Sequence, residues 1–508
     1  MANPLYDTLF GCHAGSGAPF LRLPDGRTVT YGAFLVRAAR FAHVLSGLGA
    51  EPGARVAVQV EKSADALALY AACAQAGLIF LPLNTGYTPA ELSYFVENSG
   101  AAIFVCDPGR SETLQDVAEG AGARLLTLGA AGDGTLSEIA GDMPDAFDTV
   151  SRDGEDLAAF LYTSGTTGRS KGAMLTQNNL LSNAETLVAC WRFTERDVLL
   201  HALPIFHTHG LFVATNVILR VGGSMIFLPK FDTDAVIDWL PEATSLMGVP
   251  TFYTRLLGDE RFDRDITANM RLFTSGSAPL LAETHRAFEE RTGHRILERY
   301  GMTETNMNTS NPYDGERRAG TVGPPLPDVE LKVCDPETGE TLSQGEIGVI
   351  EVRGPNVFKG YWRMPEKTAE ELRDDGFFIT GDLGQIDADG YVTIVGRAKD
   401  LIISGGYNVY PKEVETALDA LPGVLESAVI GVPHPDLGEG VVGLLVPAPG
   451  ETPDLAAAGA ALSETLAKYK QPRHLAVVDA LPRNTMGKVQ KAALRRDWAE
   501  LFDGEPGR

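Results

Sequence analysis

Positive charge is scarce in this chain: 43 Lys and Arg stand against 67 Asp and Glu, a formal net charge of −24 over 508 residues. That balance excludes a broad nucleic-acid or anionic-membrane surface. Any phosphate-rich ligand must be met by a local cluster of basic side chains and backbone amides. Cysteine is sparse too. The five residues Cys12, Cys73, Cys106, Cys190 and Cys334 are odd in number and lack metal-type spacing, so reduced thiols in a reducing compartment are expected. A long apolar run is missing: the most apolar stretch, Leu211 to Pro229, is broken by Arg220 and a glycine pair and reads as buried core, not as a membrane span. The first 20 residues lack a basic start followed by an apolar segment, so no secretory signal and a cytoplasmic location are expected. Repeats and low-complexity tracts are absent as well.

What is present is the composition of a soluble globular protein, 44% hydrophobic and 22% charged, in a chain too long for one ordinary domain. Short β-branched runs alternate with longer amphipathic stretches through the first 300 residues, as at Arg55–Val60, Ile103–Cys106, Ala158–Tyr162, Met225–Leu228, Ser245–Val249 and Leu272–Ser275. The alternation predicts an α/β architecture of helices packed on sheets. From about Pro325 the pattern turns to short strands, such as Gly348–Val352 and Tyr391–Val395, with turn chemistry at Asp335–Gly339 and Asp387–Gly390. After Asp400 a small α+β unit reads strand, helix, strand, strand, helix, strand, with helices near Pro411–Leu421 and Leu455–Lys468. The expected division is an N-terminal domain over 1–398, a junction at 399–400 and a C-terminal domain over 401–508.

The sharpest local signal is TSGTTGRSKG, Thr163 to Gly172, directly after the apolar strand Ala158–Tyr162. Its glycines, Gly165 and Gly168 among them, let the backbone turn several N–H groups toward one anion. Thr163, Ser164, Thr166 and Thr167 add hydroxyl donors, and Lys171 adds a mobile cation. Gly-Lys-Ser/Thr is absent, so this is not a Walker A loop, and the apolar run Ala173–Leu175 points to a loop between two strands.

The string resembles the signature loop of the adenylate-forming superfamily of acyl-CoA synthetases, luciferases and peptide-synthetase adenylation domains. Further motifs follow in the family's order. Tyr300-Gly301-Met302-Thr303-Glu304 is similar to the motif whose aromatic ring stacks on adenine and whose Glu helps to hold Mg²⁺. Thr380-Gly381-Asp382 resembles the ribose-binding motif, Gly396-Arg397-Ala398-Lys399-Asp400 the hinge motif, and Pro482 to Lys488 the loop of the catalytic lysine. Each is weak alone, since a Gly-Asp is usually a turn and a lone Lys a solvated charge. The resemblance implies a large N-terminal adenylate-forming domain with a small mobile C-terminal one, and ATP, Mg²⁺ and coenzyme A as its small molecules. It further implies that Ser277 and Ala278 line the ATP site, that Arg397 lies near the nucleotide and that Lys399 is the pivot. Gly405, Gly406 and Tyr407 would line the pantetheine tunnel, although the glycine pair also suits a tight turn before the following helix.

The chemistry this implies is activation of a carboxylate by attack on the α-phosphorus of ATP, followed by thiol attack on the acyl-adenylate. The in-line transition state spreads negative charge, so positioning and electrostatic stabilisation are what the protein supplies. Lys171 and Mg²⁺ on Glu304 are expected to hold the β- and γ-phosphates, and Lys488 to bridge carboxylate and nucleotide. Acetylation of Lys488 by a lysine acetyltransferase would remove that charge.

Acyl-pocket residues are expected from PIFHTHG (204–210), GVPTFYTRL (248–256), SGSAP (275–279) and the surroundings of Tyr300. Many relatives carry Gly where this chain has Arg299; a guanidinium there shortens the pocket and places a positive charge at its end. Arg255 offers a second. A buried Arg without an anion is costly, so either a second substrate carboxylate or a protein carboxylate such as Glu298 or Glu304 is its partner. His207 either orients the substrate or is a satisfied core histidine; Thr208 and Met307 read as size-setting walls, and Ser277 as a further contact. The motif set, RYGMTETNMN included, is similar to that of malonyl-CoA synthetases, which implies malonate, with methylmalonate beside it, as substrate. The alternatives are a synthetase for another small acid and a nucleotide-binding relative without catalysis; the presence of both Lys171 and Lys488 argues against the second. His-Thr-His, where adenylation domains of peptide synthetases use an Asp, argues against those.

Overall fold

The computed structural model describes residues 2–163, 170–336, 338–405, 407–484 and 487–503. The chain divides into two compact units that interrupt each other in sequence: 1–330 with 352–378, and 331–351 with 379–508. Packing thus assigns the short-stranded region after Leu331 largely to the C-terminal unit, whereas the motif-based reading placed the division at 398–401.

The first unit holds two sheets. One has the strand order Arg124–Thr127, Ile103–Cys106, Arg55–Gln59, Ile79–Pro82, Leu157–Thr163, Lys171–Thr176, parallel except for the last, antiparallel pair. The other has eight strands, ordered Asn306–Ser310, Leu297–Met302, Leu272–Ser275, Ser245–Gly248, Val198–His201, Ser224–Phe227, Pro19–Arg22, Thr28–Thr30. The interior strands read as continuous apolar runs because both faces are covered: every residue of Ile79–Pro82, Ile103–Cys106 and Leu272–Ser275 is buried. The helix Ala64–Gln75 is buried at every position from Ala66 onward and starts at a Ser63 side-chain cap on the Ala66 N–H. The apolar stretch from Leu211 is core, as expected: a π-helical turn His209–Thr215, a helix Asn216–Val221 and the strand Ser224–Phe227. Among the described residues no helix is long and apolar enough to cross a membrane.

The second unit carries a four-stranded sheet (Glu330–Cys334, Gly348–Arg353, Phe378–Ile386, Val392–Arg397) and a five-stranded one. In the latter, the long antiparallel pair Val424–His434 and Gly438–Pro447 is flanked by Ile402–Ser404 and, in parallel, by His474–Val477. Relative to the order read from sequence, the C-terminal region gains a second short strand, Tyr407–Val409, before the helix Pro411–Asp419, and a final helix, Lys491–Asp497. Three-residue strands carry too little periodicity to be read from sequence.

One ion-paired knot fixes the large sheet. Asp197, Thr244 and Arg271 each stand one residue before a neighbouring parallel strand. The Asp197 carboxylate accepts from Arg271 Nε at 2.6 Å, from Thr244 Oγ1 at 2.8 Å and from the Thr194 N–H at 2.8 Å. Burial alone would raise the Asp197 pKa, but these donors hold it below its ordinary value. Tying the N-terminal edge of the sheet leaves the opposite edge, the carboxyl ends of the same strands, as the place where a ligand crevice forms. Asp197→Ala should lower stability by about 3 kcal/mol or more in denaturant unfolding, since it strands the Arg271 cation. Because the folded pKa is depressed, that stabilisation is present above the ordinary carboxylate pKa. It is lost as the pH falls, so the gap between variant and wild type should close on acidification below about pH 4.

Candidate functional site

The loop strand pair brings Thr163 opposite Lys171 in antiparallel register, as its apolar flanks predicted. Ser164, Gly165, Thr166, Thr167 and Gly168 lie outside the described residues. Gly172 is demanded by packing: a Cβ there would stand 2.2 Å from Phe160 Cζ. Against this edge strand runs the segment 359–362, through Lys359 N–H to Met174 O at 2.9 Å, Met174 N–H to Gly360 O at 3.0 Å and Trp362 N–H to Gly172 O at 2.8 Å. That pairing carries the Tyr361 side chain to Lys171, whose Nζ donates to Tyr361 Oη and to both oxygens of Glu371, each at 3.0 Å.

The second element is the antiparallel hairpin of Leu297–Met302 and Asn306–Ser310. Gly301 is required at its crossing, where a Cβ would meet Asn306 O at 1.8 Å. Tyr300 and Thr303 sit on the hairpin, half-buried, and Met307 is buried opposite Gly301. The turn presents Glu304, 4% exposed, whose Oε1 accepts from Tyr361 Oη at 3.0 Å and from Thr163 Oγ1 at 3.3 Å. No cluster of three metal-ligating side chains occurs among the described residues. A Mg²⁺ shared with phosphates needs only one or two protein carboxylates, so a lone, oriented Glu304 fits that ion.

Arg299, on the same hairpin, is the unusual charge. It is 3% exposed, and neither Nε nor Nη2 has a hydrogen-bond partner. The guanidinium lies over Gly276, where a Cβ would fall 2.2 Å from Nη1. Neither expected protein partner takes it: Glu304 is held as described, and Glu298 Oε1 lies 3.3 Å from His285 Nδ1. Burial pushes the Arg299 pKa down to about 10, opposed by the neighbouring Tyr253. His209 is buried beside it, held well below the ordinary histidine pKa by burial and then by the Arg299 charge, so its imidazole is neutral. Its Nδ1 lies 3.3 Å from Ser277 Oγ, and its Nε2 has no partner. Ser277 adopts φ +70°, a costly conformation for a non-glycine residue, which aims its hydroxyl at this spot. Thr208, one residue before His209, has a buried hydroxyl without a partner. Ala278 follows, half-buried.

One expected residue stands apart. Arg255 is exposed on the helix Pro250–Leu257, its guanidinium 5.9 Å from the Phe231 ring. Tyr253, two positions earlier, takes the inward face instead. His207 is half-buried with its ring on Phe206 and near enough to His209 for its charge to act there, while His209 is the imidazole beside Ser277. The sequence reading named the first histidine of His-Thr-His and not the second; nothing in the tripeptide itself ranks them. Tyr361 and Glu371 were missed as well, for want of any local motif. A cavity of about 630 Å³ lined by Tyr6, Cys12, Gln75 and Phe147 includes none of these residues.

In the second unit, Asp382 and Arg397 face each other in register, with Arg397 Nε 2.7 Å from Asp382 Oδ1 and Nη1 donating to Thr380 O at 3.2 Å. Lys399 is exposed in the turn Ala398–Asp400. Lys488 is exposed at the end of a tight loop closed by Asn484 N–H to Lys488 O at 3.0 Å and Lys488 N–H to Asn484 Oδ1 at 3.0 Å. Gly405 has φ +60°, and Tyr407 stacks on Tyr469 with ring centres 4.8 Å apart. Gly406 lies outside the described residues.

The chain is 34% identical to the malonate–CoA ligase of Arabidopsis thaliana, over 93% of this chain and 85% of that one. It is 37% identical to a feruloyl-CoA synthase of Amycolatopsis, over 93% and 94%. The crystal structure of ATP-bound MatB from Rhodopseudomonas palustris superposes with a TM-score of 0.96 at 57% identity, covering 99% of this chain and all of that one. The sequence profile of the AMP-binding enzymes matches residues 12–362, and that of the AMP-binding enzyme C-terminal domain matches residues 413–488. The chain belongs to the AMP-binding enzyme family.

Proposed function

We propose that this enzyme is an AMP-forming malonate–CoA ligase. Malonate and ATP give malonyl-adenylate and pyrophosphate, and coenzyme A thiol then displaces AMP to give malonyl-CoA. The observation that carries the substrate is Arg299, a buried guanidinium with two unpaired donor nitrogens at the carboxyl edge of the large sheet. A desolvated cation without an anion costs several kcal/mol, and the second carboxylate of a small diacid supplies the missing partner. In this reading the neutral His209, Ser277 and Thr208 offer hydrogen-bonding positions, and the buried Met307 is the apolar wall. Identity supports the same acid: the feruloyl-CoA synthase and the plant malonate ligase are similarly distant at 37% and 34%, whereas MatB is 57% identical. An aromatic acid would leave Arg299 uncompensated. Methylmalonate adds one methyl group and keeps both carboxylates, so it is the second substrate of this reading.

Thr163, the loop 164–168, Ser277, Ala278 and the Tyr300–Thr303 segment are the proposed contacts for ATP, with Asp382 and Arg397 for its ribose and phosphate. Glu304 would hold Mg²⁺, which when bound neutralises phosphate charge. Lys488 is the proposed catalytic cation of adenylation, Lys399 the hinge, and Gly405, Gly406 and Tyr407 the lining for pantetheine. A cytoplasmic location and an acetyltransferase acting on Lys488 belong to the same reading, the latter resting on the exposure of that side chain alone.

A panel of malonate, methylmalonate, succinate, acetate and benzoate should show malonate- and methylmalonate-dependent AMP and thioester formation, with acetate far poorer. Equal kcat/KM for acetate and malonate would sink the diacid reading. Arg299→Gly removes a charge-assisted contact worth roughly 1.5–3 kcal/mol, so malonate kcat/KM should fall about 10- to 100-fold while longer monocarboxylates gain.

Lys488→Ala should cut adenylation by about two orders of magnitude yet leave thioester formation from supplied malonyl-adenylate near normal. Lys399→Pro, by stiffening the hinge, should do the reverse. Equal damage to both half-reactions in both variants would refute this division of labour.

A further inference from the structure

Lys171 was expected to grip phosphates, yet its ammonium is already committed. Both oxygens of Glu371 lie 3.0 Å from Nζ, Tyr361 Oη is at 3.0 Å, and the Tyr361 ring face lies 4.1 Å from the charge. The pair is sheltered, with side-chain exposures of 12% and 20%. Glu371 is further held by Lys367 Nζ at 3.0 Å, four residues earlier on the helix Pro365–Glu371.

Tyr361 Oη stands between two carboxylates, 2.7 Å from Glu371 Oε2 and 3.0 Å from Glu304 Oε1. A phenol has one proton to give. Glu371 has two cations beside it, whereas Glu304 has none among the described residues. The hydroxyl, polarised by the Lys171 donor, is therefore best spent on Glu304. Drawing Lys171 away would leave Glu371 with Lys367 alone and two carboxylates about one phenol oxygen, a like-charge arrangement that raises the energy of both.

We propose that Glu371 is a positioning residue that anchors Lys171 within the protein, so that the lysine acts through Tyr361 to orient Glu304 for metal-bound nucleotide instead of gripping the phosphates itself. This rests on the reading of the site as one for ATP with Mg²⁺. The competing geometry, in which Glu371 merely occupies Lys171 until phosphates displace it, predicts the opposite sign for its removal.

The test is calorimetric binding of ATP to the full chain, without acid or coenzyme A, once with MgCl₂ and once with EDTA. Glu371→Gln should weaken binding on the order of tenfold with Mg²⁺ and change it less than about twofold with EDTA. Tyr361→Phe should give the same pattern, and the double variant should lose little beyond either single one. Tighter ATP binding by Glu371→Gln in either condition would overturn the proposal, as would an equal loss in both. Thermal unfolding checks that the variants fold; if Glu371→Gln does not, Tyr361→Phe carries the same decision. Failure of the wild type to bind ATP in either condition would overturn the reading of the site itself and this inference with it.

Discussion

An uncompensated buried cation is the constraint on which the proposed acid pocket rests. Arg299 is fully desolvated over Gly276, and neither Glu298 nor Glu304 turns toward it. A folded chain tolerates such a charge only where the surrounding structure over-determines it. Here a strand backbone fixes Cα, a glycine opens the space for the guanidinium, and a neutral His209 declines to compete for charge. The strained Ser277 belongs to the same arrangement. Stability and specificity pull in opposite directions at this point, and the missing free energy is what a diacid would return on binding.

The same hairpin that carries Arg299 carries Glu304 five residues later, across a turn. One rigid element therefore sets both the acid end and the metal end of the proposed reaction site. Its crossing at Gly301 allows no side chain, so a shift of either end is transmitted to the other. Rigid strands bearing functional groups hold distances better than loops do. The knot of Asp197, Thr244 and Arg271 at the opposite edge of the sheet completes the frame, and it lies far along the strands from the groups it steadies.

The Lys171 network adds a different kind of control. Its members come from the loop strand, the hairpin turn, the segment 359–362 and the helix Pro365–Glu371, and their charges balance as two carboxylates against two ammonium groups. Such a network is specific because each polar atom has few geometrically acceptable partners in a sheltered setting.

The fold class, the strand positions through the first 300 residues, the two-strand setting of the glycine-rich loop and the order of the family motifs were all legible in the sequence. Each is written in local periodicity or in a contiguous string, as Ile103–Cys106 and Thr163–Gly172 illustrate. The identity of Arg299 as a candidate was legible too, because it occupies a motif-adjacent position. Its isolation was not: whether Glu298 or Glu304 would neutralise it depended on side-chain directions set by the hairpin. Arg255 looked equivalent in sequence and is exposed, because the inward face of its helix belongs to Tyr253. The place of His209 beside Ser277, and the pairing of Lys171 with Glu371 across 200 residues, were likewise decided only by packing. Sequence determines which chemical groups are available and which local elements form. Partnership between distant charges is a property of three-dimensional distance and desolvation, and only the tertiary structure assigns it.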